Sequence, residues 1–301
     1  MHPYILRLPE WLGAVPDWVP LIGGTQIGGR PLYAYGAMLA LAFALGALFS
    51  YYTTERMVES RRNTNALFLS ATIGAIIGAR LLYFIASAPG QLSIRSFFRF
   101  EEGGLVAYGG FLGALALSAI VAIVRKAEWW TTGDAVAPCL ALGTGIVRLG
   151  CFLFGCDFGR TTDAAWGLAF PHWSNPGVAL WIPSGAPAFS QHFPGRLHSA
   201  AHVLSLSVEP TQILMSLKGF IGFAFLMILL PRRRFSGQVL LAFLAWYAAA
   251  RFLIEFLRGD AIRGTQTLGL PLSTSQFLAL AVLAAVVPLW AWRSRCHALP
   301  R

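Results

Sequence analysis

Arg80, Arg148 and Arg251 stand inside long apolar stretches of this chain. A charged side chain at membrane depth is costly, and it is retained where it pairs, binds or moves charge. Tyr247 precedes Arg251 by four residues and Glu255 follows it by four. The three therefore share one face of a helix. On one reading Arg251 and Glu255 pair and hold helices together. On the other, the arginines converge on an anion, because a guanidinium presents a planar fork that matches phosphate. Glycine is the second signal. Gly103-Gly104 and Gly109-Gly110 bracket Leu105-Val106-Ala107-Tyr108, and Gly113 follows. Gly150, Gly155 and Gly159 punctuate the run from Arg148 to Arg160. Such glycines serve close packing of membrane helices. Beside arginine they also let backbone N–H groups reach a phosphate. The second run, with an arginine at each end, favours phosphate.

Residues of this kind need a scaffold of membrane helices. The chain has 301 residues, 56% hydrophobic and 12% charged, against about 25% charged in a soluble domain. Seven apolar stretches run from about Leu32 to Tyr51, Ala66 to Ile85, Leu105 to Val124, Asp134 to Phe154, Thr211 to Leu230, Gln238 to Leu257 and Gln276 to Trp292. The expected fold is all-α: one polytopic membrane domain over residues 1–301 with about seven spans. Basic groups follow the first, third, fifth and last stretches: Arg56, Arg61 and Arg62; Arg125 and Lys126; Arg232, Arg233 and Arg234; Arg293, Arg295 and Arg301. The positive-inside rule makes that side cytoplasmic, with the N-terminus outside and the C-terminus inside. The net charge of +10 then reflects topology and anionic lipid, with no call for nucleic acid. The first 30 residues lack the basic and apolar regions of a cleavable signal, and Trp11 and Trp18 suit an interfacial segment.

The one long connection, 156–210, is expected to form a small extracytoplasmic head between the fourth and fifth spans. Its histidines, His172, His192, His198 and His202, have no metal-site spacing. The cysteines are Cys139, Cys151, Cys156 and Cys296, without a CxxC pair. On one helix, Cys151 and Cys156 would lie roughly 8–9 Å apart at Cα, beyond the roughly 7 Å limit of a disulfide. They are therefore expected to be free thiols or small packing residues.

The run Glu102-Gly103-Gly104-Leu105-Val106-Ala107-Tyr108-Gly109-Gly110 resembles the third-helix motif of the prolipoprotein diacylglyceryl transferases. The run from Arg148 through Gly150 and Phe152 to Gly159-Arg160 resembles that family's signature. Tyr35-Gly36, Pro210-Thr211-Gln212, Tyr247 with Arg251 and Glu255, Arg258-Gly259-Asp260 and Ser275-Gln276 match in order and spacing. The resemblance covers nearly the whole chain.

It implies an enzyme that moves diacylglyceryl from phosphatidylglycerol to the lipobox cysteine thiol of a prolipoprotein, releasing glycerol 1-phosphate. It implies a monomer in the bacterial inner membrane, with no cofactor and no metal. Arg148 and Arg251 match the family's essential arginines and are expected to clamp the phosphate, with Glu255 holding Arg251. Tyr35 and Tyr247 would orient the headgroup. Gly104, Gly109, Cys151, Gly159, Arg160, Gln212 and Arg80 complete the expected binding set, and Tyr108 the catalytic set. The chain departs from the family where histidine is replaced by Tyr108, asparagine by Cys151, glutamate by Cys156, and histidine by Glu209. A tyrosine with a pKa of about 10 is a poor base at neutral pH. The base has moved, to Asp157, Glu209 or a loop histidine, or else the acceptor differs or activity is lost. An anion transporter and a silent lipid-binding protein are the alternatives; no inverted repeat supports the transporter.

Overall fold

The computed structural model describes residues 4–7, 31–55, 61–86, 93–98, 104, 106–171, 186–193, 204–259 and 272–296. Its helices are α1 (Ala34–Glu55), α2 (Arg61–Ala86), α3 (Ile94–Phe98), α4 (Ala107–Arg125), α5 (Trp129–Phe154), α6 (Pro187–His192), α7 (Thr211–Leu229), α8 (Gln238–Glu255) and α9 (Thr274–Cys296). Six of these are long and apolar enough to span a membrane, and α4 supplies a shorter apolar helix. The seven expected stretches are therefore all helices. The fourth begins five residues before Asp134, because Trp129 and Trp130 extend it. The outward faces are apolar: Phe111 is 68% exposed and Ile123 77%. In water such faces would be a liability; in lipid they are solvated.

One pairing went unread in the sequence. Strand β1 (Tyr4–Arg7) runs antiparallel to β2 (Pro31–Tyr33) just before α1. Two short strands this far apart leave little local pattern. Trp11 and Trp18 lie outside the described residues.

α5 is the hub, packing on α1, α7 and α8. Its contact face is built from small residues, among them Ala135, Ala137, Ala141 and Gly145. Small side chains let helix backbones approach, and hydroxyl groups then bridge them. Ser216 of α7 donates to the Gly145 carbonyl at 2.8 Å, and Thr53 of α1 to the Ala135 carbonyl at 2.9 Å. A buried cluster of Ala135, Ala141, Leu226, Val239 and Phe243 ties α5, α7 and α8 together.

The ends of α5 are fixed differently. Near its start, the buried Asp134 carboxylate accepts from the amides of Gly237 (2.8 Å), Val239 (2.8 Å) and Leu240 (2.9 Å), with Arg233 3.9 Å away. Asp134 thus caps α8 from a neighbouring helix, taking up orphan N–H groups of its first turn. At the other end, Gly155 takes a left-handed φ of 81°. The Gly155 and Cys156 amides both donate to the Cys151 carbonyl, at 2.8 and 3.1 Å, which stops the helix in a Schellman-type turn.

α4 packs on α2 and on little else among the described elements. Gly74 and Gly78 of α2 meet Gly109 and Gly113 of α4, backbone on backbone, with no room for a Cβ at any of the four. Between α5 and α7, the described parts of 156–210 have a core of their own. Phe158, Phe170, Ala186, Phe189 and Val208 pack together, and Leu168 and Thr161 bridge to Val208.

Candidate functional site

The chain leaving α5, the chain entering α7 and the chain leaving α8 are hydrogen-bonded to one another. Gly159 donates to the Glu209 carbonyl at 2.9 Å, and Glu209 returns a bond to Arg160 at 2.9 Å. Arg160 donates to the Leu257 carbonyl at 2.8 Å, and Gly259 donates to Phe158 at 3.2 Å. At the start of α7, Thr211 donates its hydroxyl to the Asp157 carbonyl (2.7 Å), and Gln212 its amide to the Cys156 carbonyl (2.8 Å). This stitching fixes where Arg148, Asp157 and Arg258 meet.

Asp157 is gripped from both sides. Arg148 Nη1 pairs with Oδ2, and Arg258 Nη2 pairs with Oδ1 at 2.5 Å. Burial alone would push the Asp157 pKa up, but the two guanidiniums outweigh it and hold the carboxyl below the usual range. A carboxylate so held is an anchor, and a poor proton acceptor while both ion pairs are made. Arg148 also reaches the Cys151 sulfur at 3.8 Å. The Cys156 thiol, sharing its environment with Cys151 and partly buried, is raised above its ordinary pKa and stays protonated.

A second pair lies beside the first. Arg251 Nη1 is 2.7 Å from Glu255 Oε2, and Arg251 Nη2 donates to Ser275 Oγ of α9 at 3.0 Å. Lys218 of α7 is buried, its Nζ 3.9 Å from the Tyr247 ring centroid. Arg148 and Arg251 lie within electrostatic range of each other, and each within range of Arg258, Lys218 and Tyr247; Tyr35 lies within range of Arg148, Asp157 and Cys151. The cluster carries three arginines and a lysine against two carboxylates, an arrangement that suits an anion.

The structure thus brings together Tyr35, Arg148, Cys151, Gly159, Arg160, Gln212, Tyr247, Arg251 and Glu255 from the expected set. Arg160 enters through its backbone, its side chain being exposed. Arg80, Gly104 and Gly109 form a separate group around α2 and α4. The Arg80 guanidinium donates to the carbonyls of Phe97 (3.0 Å), Gly104 (3.1 Å) and Ser96 (2.7 Å), with the Phe84 ring 5.0 Å from it. Gly109 packs on Gly78. Tyr108 opens α4, with its side chain outside the described residues, as are Gly103, His172, His198 and His202. The Glu209 carboxylate accepts from Trp166 Nε1 at 2.8 Å. His192 is partly buried, which lowers its pKa, and faces Phe158.

Lys218 and Arg258 join the cluster from outside the expected site set. Lys218 is a charged residue type inside an apolar run, the same signal that marked the arginines. Arg258 stands in the Arg258-Gly259-Asp260 motif, whose spacing carries no sign of its pairing with Asp157 across the fold.

Fold and site together define a polytopic membrane protein with an arginine-rich polar cluster where α5, α7 and α8 meet. The prolipoprotein diacylglyceryl transferase family matches residues 24–292, and the chain belongs to that family. A phosphatidylglycerol–prolipoprotein diacylglyceryl transferase of Methylibium petroleiphilum is 29% identical over 90% of this chain and 95% of the relative. The second such transferase of Clostridium perfringens is 30% identical over 88% and 92%, and that of Clostridium tetani 28% over 85% and 90%.

Proposed function

We propose that the protein transfers diacylglyceryl from phosphatidylglycerol to the lipobox cysteine thiol of prolipoproteins, as the names of its relatives indicate for them. The observation that carries this reading is the meeting of Arg148, Arg251 and Arg258 at one level of the bundle, beside Lys218 and Tyr247. The sulfur attacks the glyceryl carbon that bears the phosphate. The C–O bond breaks, the thiol proton passes to a base, and glycerol 1-phosphate departs. Guanidiniums fixed beside the leaving oxygens stabilise the charge that grows there without reorganising. Glu255 and Ser275 orient Arg251, and Tyr35 and Tyr247 border the headgroup. Cys151 lies against Arg148.

The basic loops support a cytoplasmic side at the ends of α1, α4 and α7, and with it a site that opens to the extracytoplasmic side of the inner membrane, next to the described parts of 156–210. The chain acts as a monomer on this reading.

Membranes containing the protein, given phosphatidylglycerol and a lipobox peptide, are expected to lipidate the peptide, and Arg148→Ala or Arg251→Ala to cut the rate by roughly 10²–10³-fold. Full activity in both variants would overturn the clamp. Failure to rescue cells depleted of their own transferase, at normal expression, would overturn the transferase reading and favour a silent relative. That outcome has a motive in Tyr108, Cys151 and Cys156.

A further inference from the structure

The two thiols nearest the site are not on one helix, and this reopens their chemistry. α5 stops at Phe154, and Gly155 turns the chain back, so that the Cys156 amide bonds to the Cys151 carbonyl. In a Schellman turn these are the two positions whose side chains meet across the helix end. The Sγ atoms of Cys151 and Cys156 and a carboxylate oxygen of Asp157 all lie within 4.8 Å of one another. A sulfur–sulfur bond is about 2.05 Å long and needs adjoining backbones. The backbones already adjoin, and rotation about χ1 of a cysteine covers the remaining gap. The turn is held in place: Gly155 and Asp157, on either side of Cys156, both have left-handed φ, 81° and 57°, and Gln212 binds the Cys156 carbonyl.

We propose that Cys151 and Cys156 are a site of reversible oxidation, closing to a disulfide that locks the turn between α5 and Asp157. The oxidant is an external organic disulfide, RSSR. In alkaline solution Cys156, the more exposed of the two, gives up its proton and attacks first as the thiolate, forming a Cys156–S–S–R mixed disulfide; the displaced RS takes up that proton and leaves as RSH. Cys151 sulfur then displaces RS from Cys156, and the thiol proton of Cys151 leaves with it as a second RSH. Two protein thiols are oxidised and one RSSR is reduced to two RSH. In the topology proposed above this turn faces the extracytoplasmic side, where disulfides persist; the chemistry itself does not depend on that reading. A metal ion is the competing use of the same three groups. Both oxygens of Asp157 are engaged by Arg148 and Arg258, and two guanidiniums repel a cation.

The test uses the full chain as a Cys139→Ser/Cys296→Ser variant, so that only the pair remains. The purified protein is incubated in alkaline buffer with oxidised glutathione, then unfolded, alkylated and digested without reductant. The expected result is a Cys151–Cys156 cross-linked peptide, loss of both alkylation sites, and their return after dithiothreitol. Adding Cys151→Ser should trap glutathione on Cys156. The oxidised protein should also melt higher than the reduced one, because the closed loop restricts the unfolded chain. Two thiols that stay alkylatable, or one glutathione on each with no cross-link, overturn the proposal. So does protection of both thiols by zinc alone. Each readout is independent of transferase activity, so failure here leaves the proposed function standing.

Discussion

Asp134 and Asp157 lie near the opposite ends of α5, which at 26 residues is about 39 Å long. Asp134 is fully buried and bound mainly by three backbone amides of α8, with Arg233 at the edge of contact. Asp157 keeps 29% of its side chain exposed and is bound by two arginine side chains. Amides at a helix start have no other partner to turn to, so the first carboxylate is permanent architecture. Guanidiniums on long side chains can change partner, so the second is an ion pair that an incoming phosphate can compete for. One helix therefore carries a fixed end and an exchangeable end.

The strongest way to break the comparison is Asp134→Ala. It strands three amides and Arg233 in the bundle, and should lower stability by on the order of 3–5 kcal/mol. The melting temperature in detergent should fall sharply, while the rate per folded molecule stays near normal; an unchanged melting temperature would remove Asp134 from the architecture. Arg148→Ala should do the reverse. Turnover should fall by roughly 10²–10³-fold, the usual effect of deleting one stabilising donor from a site, with a melting temperature close to the parent.

A smaller effect is expected of Lys218→Met, which keeps the apolar stem and deletes the amine beside Tyr247. The KM for phosphatidylglycerol should rise by about tenfold, near 1.4 kcal/mol. The smallest effect is expected of Asp157→Asn, and it should depend on pH. The folded pKa of Asp157 is depressed, so its contribution to stability is present above the unfolded value of about 3.9 and fades as pH falls through the lower folded value. Melting temperatures of parent and variant should differ at neutral pH and converge in acid. A constant offset across that range would show that the ion pair is not the cause.

Much of this architecture was legible in residue order. Seven apolar runs gave seven helices, because backbone groups in lipid must bond within their own segment and leave few choices. Arg251 and Glu255 pair as their four-residue spacing required. The glycines were ambiguous in principle, since close packing and phosphate cradling ask for the same missing side chain. Gly109 and Gly113 face α2, while Gly159 lies in the stitched strip of the site, and only the fold separates the two uses. Arg80 shows the same limit: its three carbonyl partners lie 16 to 24 residues away along the chain, in a connection without periodic pattern. Cys151 and Cys156 turned on one glycine, whose left-handed turn no spacing rule for a continuous helix could include.

The glycine contact between α2 and α4 also bears on the order of assembly during synthesis. Both partners lie within residues 61–125, so this hairpin can dock in the bilayer as soon as the second helix is inserted, by close backbone packing alone. Among the described elements, α1 has no comparable early partner. Its main neighbour is α5, and Thr53 must wait for the carbonyl of Ala135 to emerge. α2 and α4 would thus stand as a finished subassembly before the hub that organises the site exists.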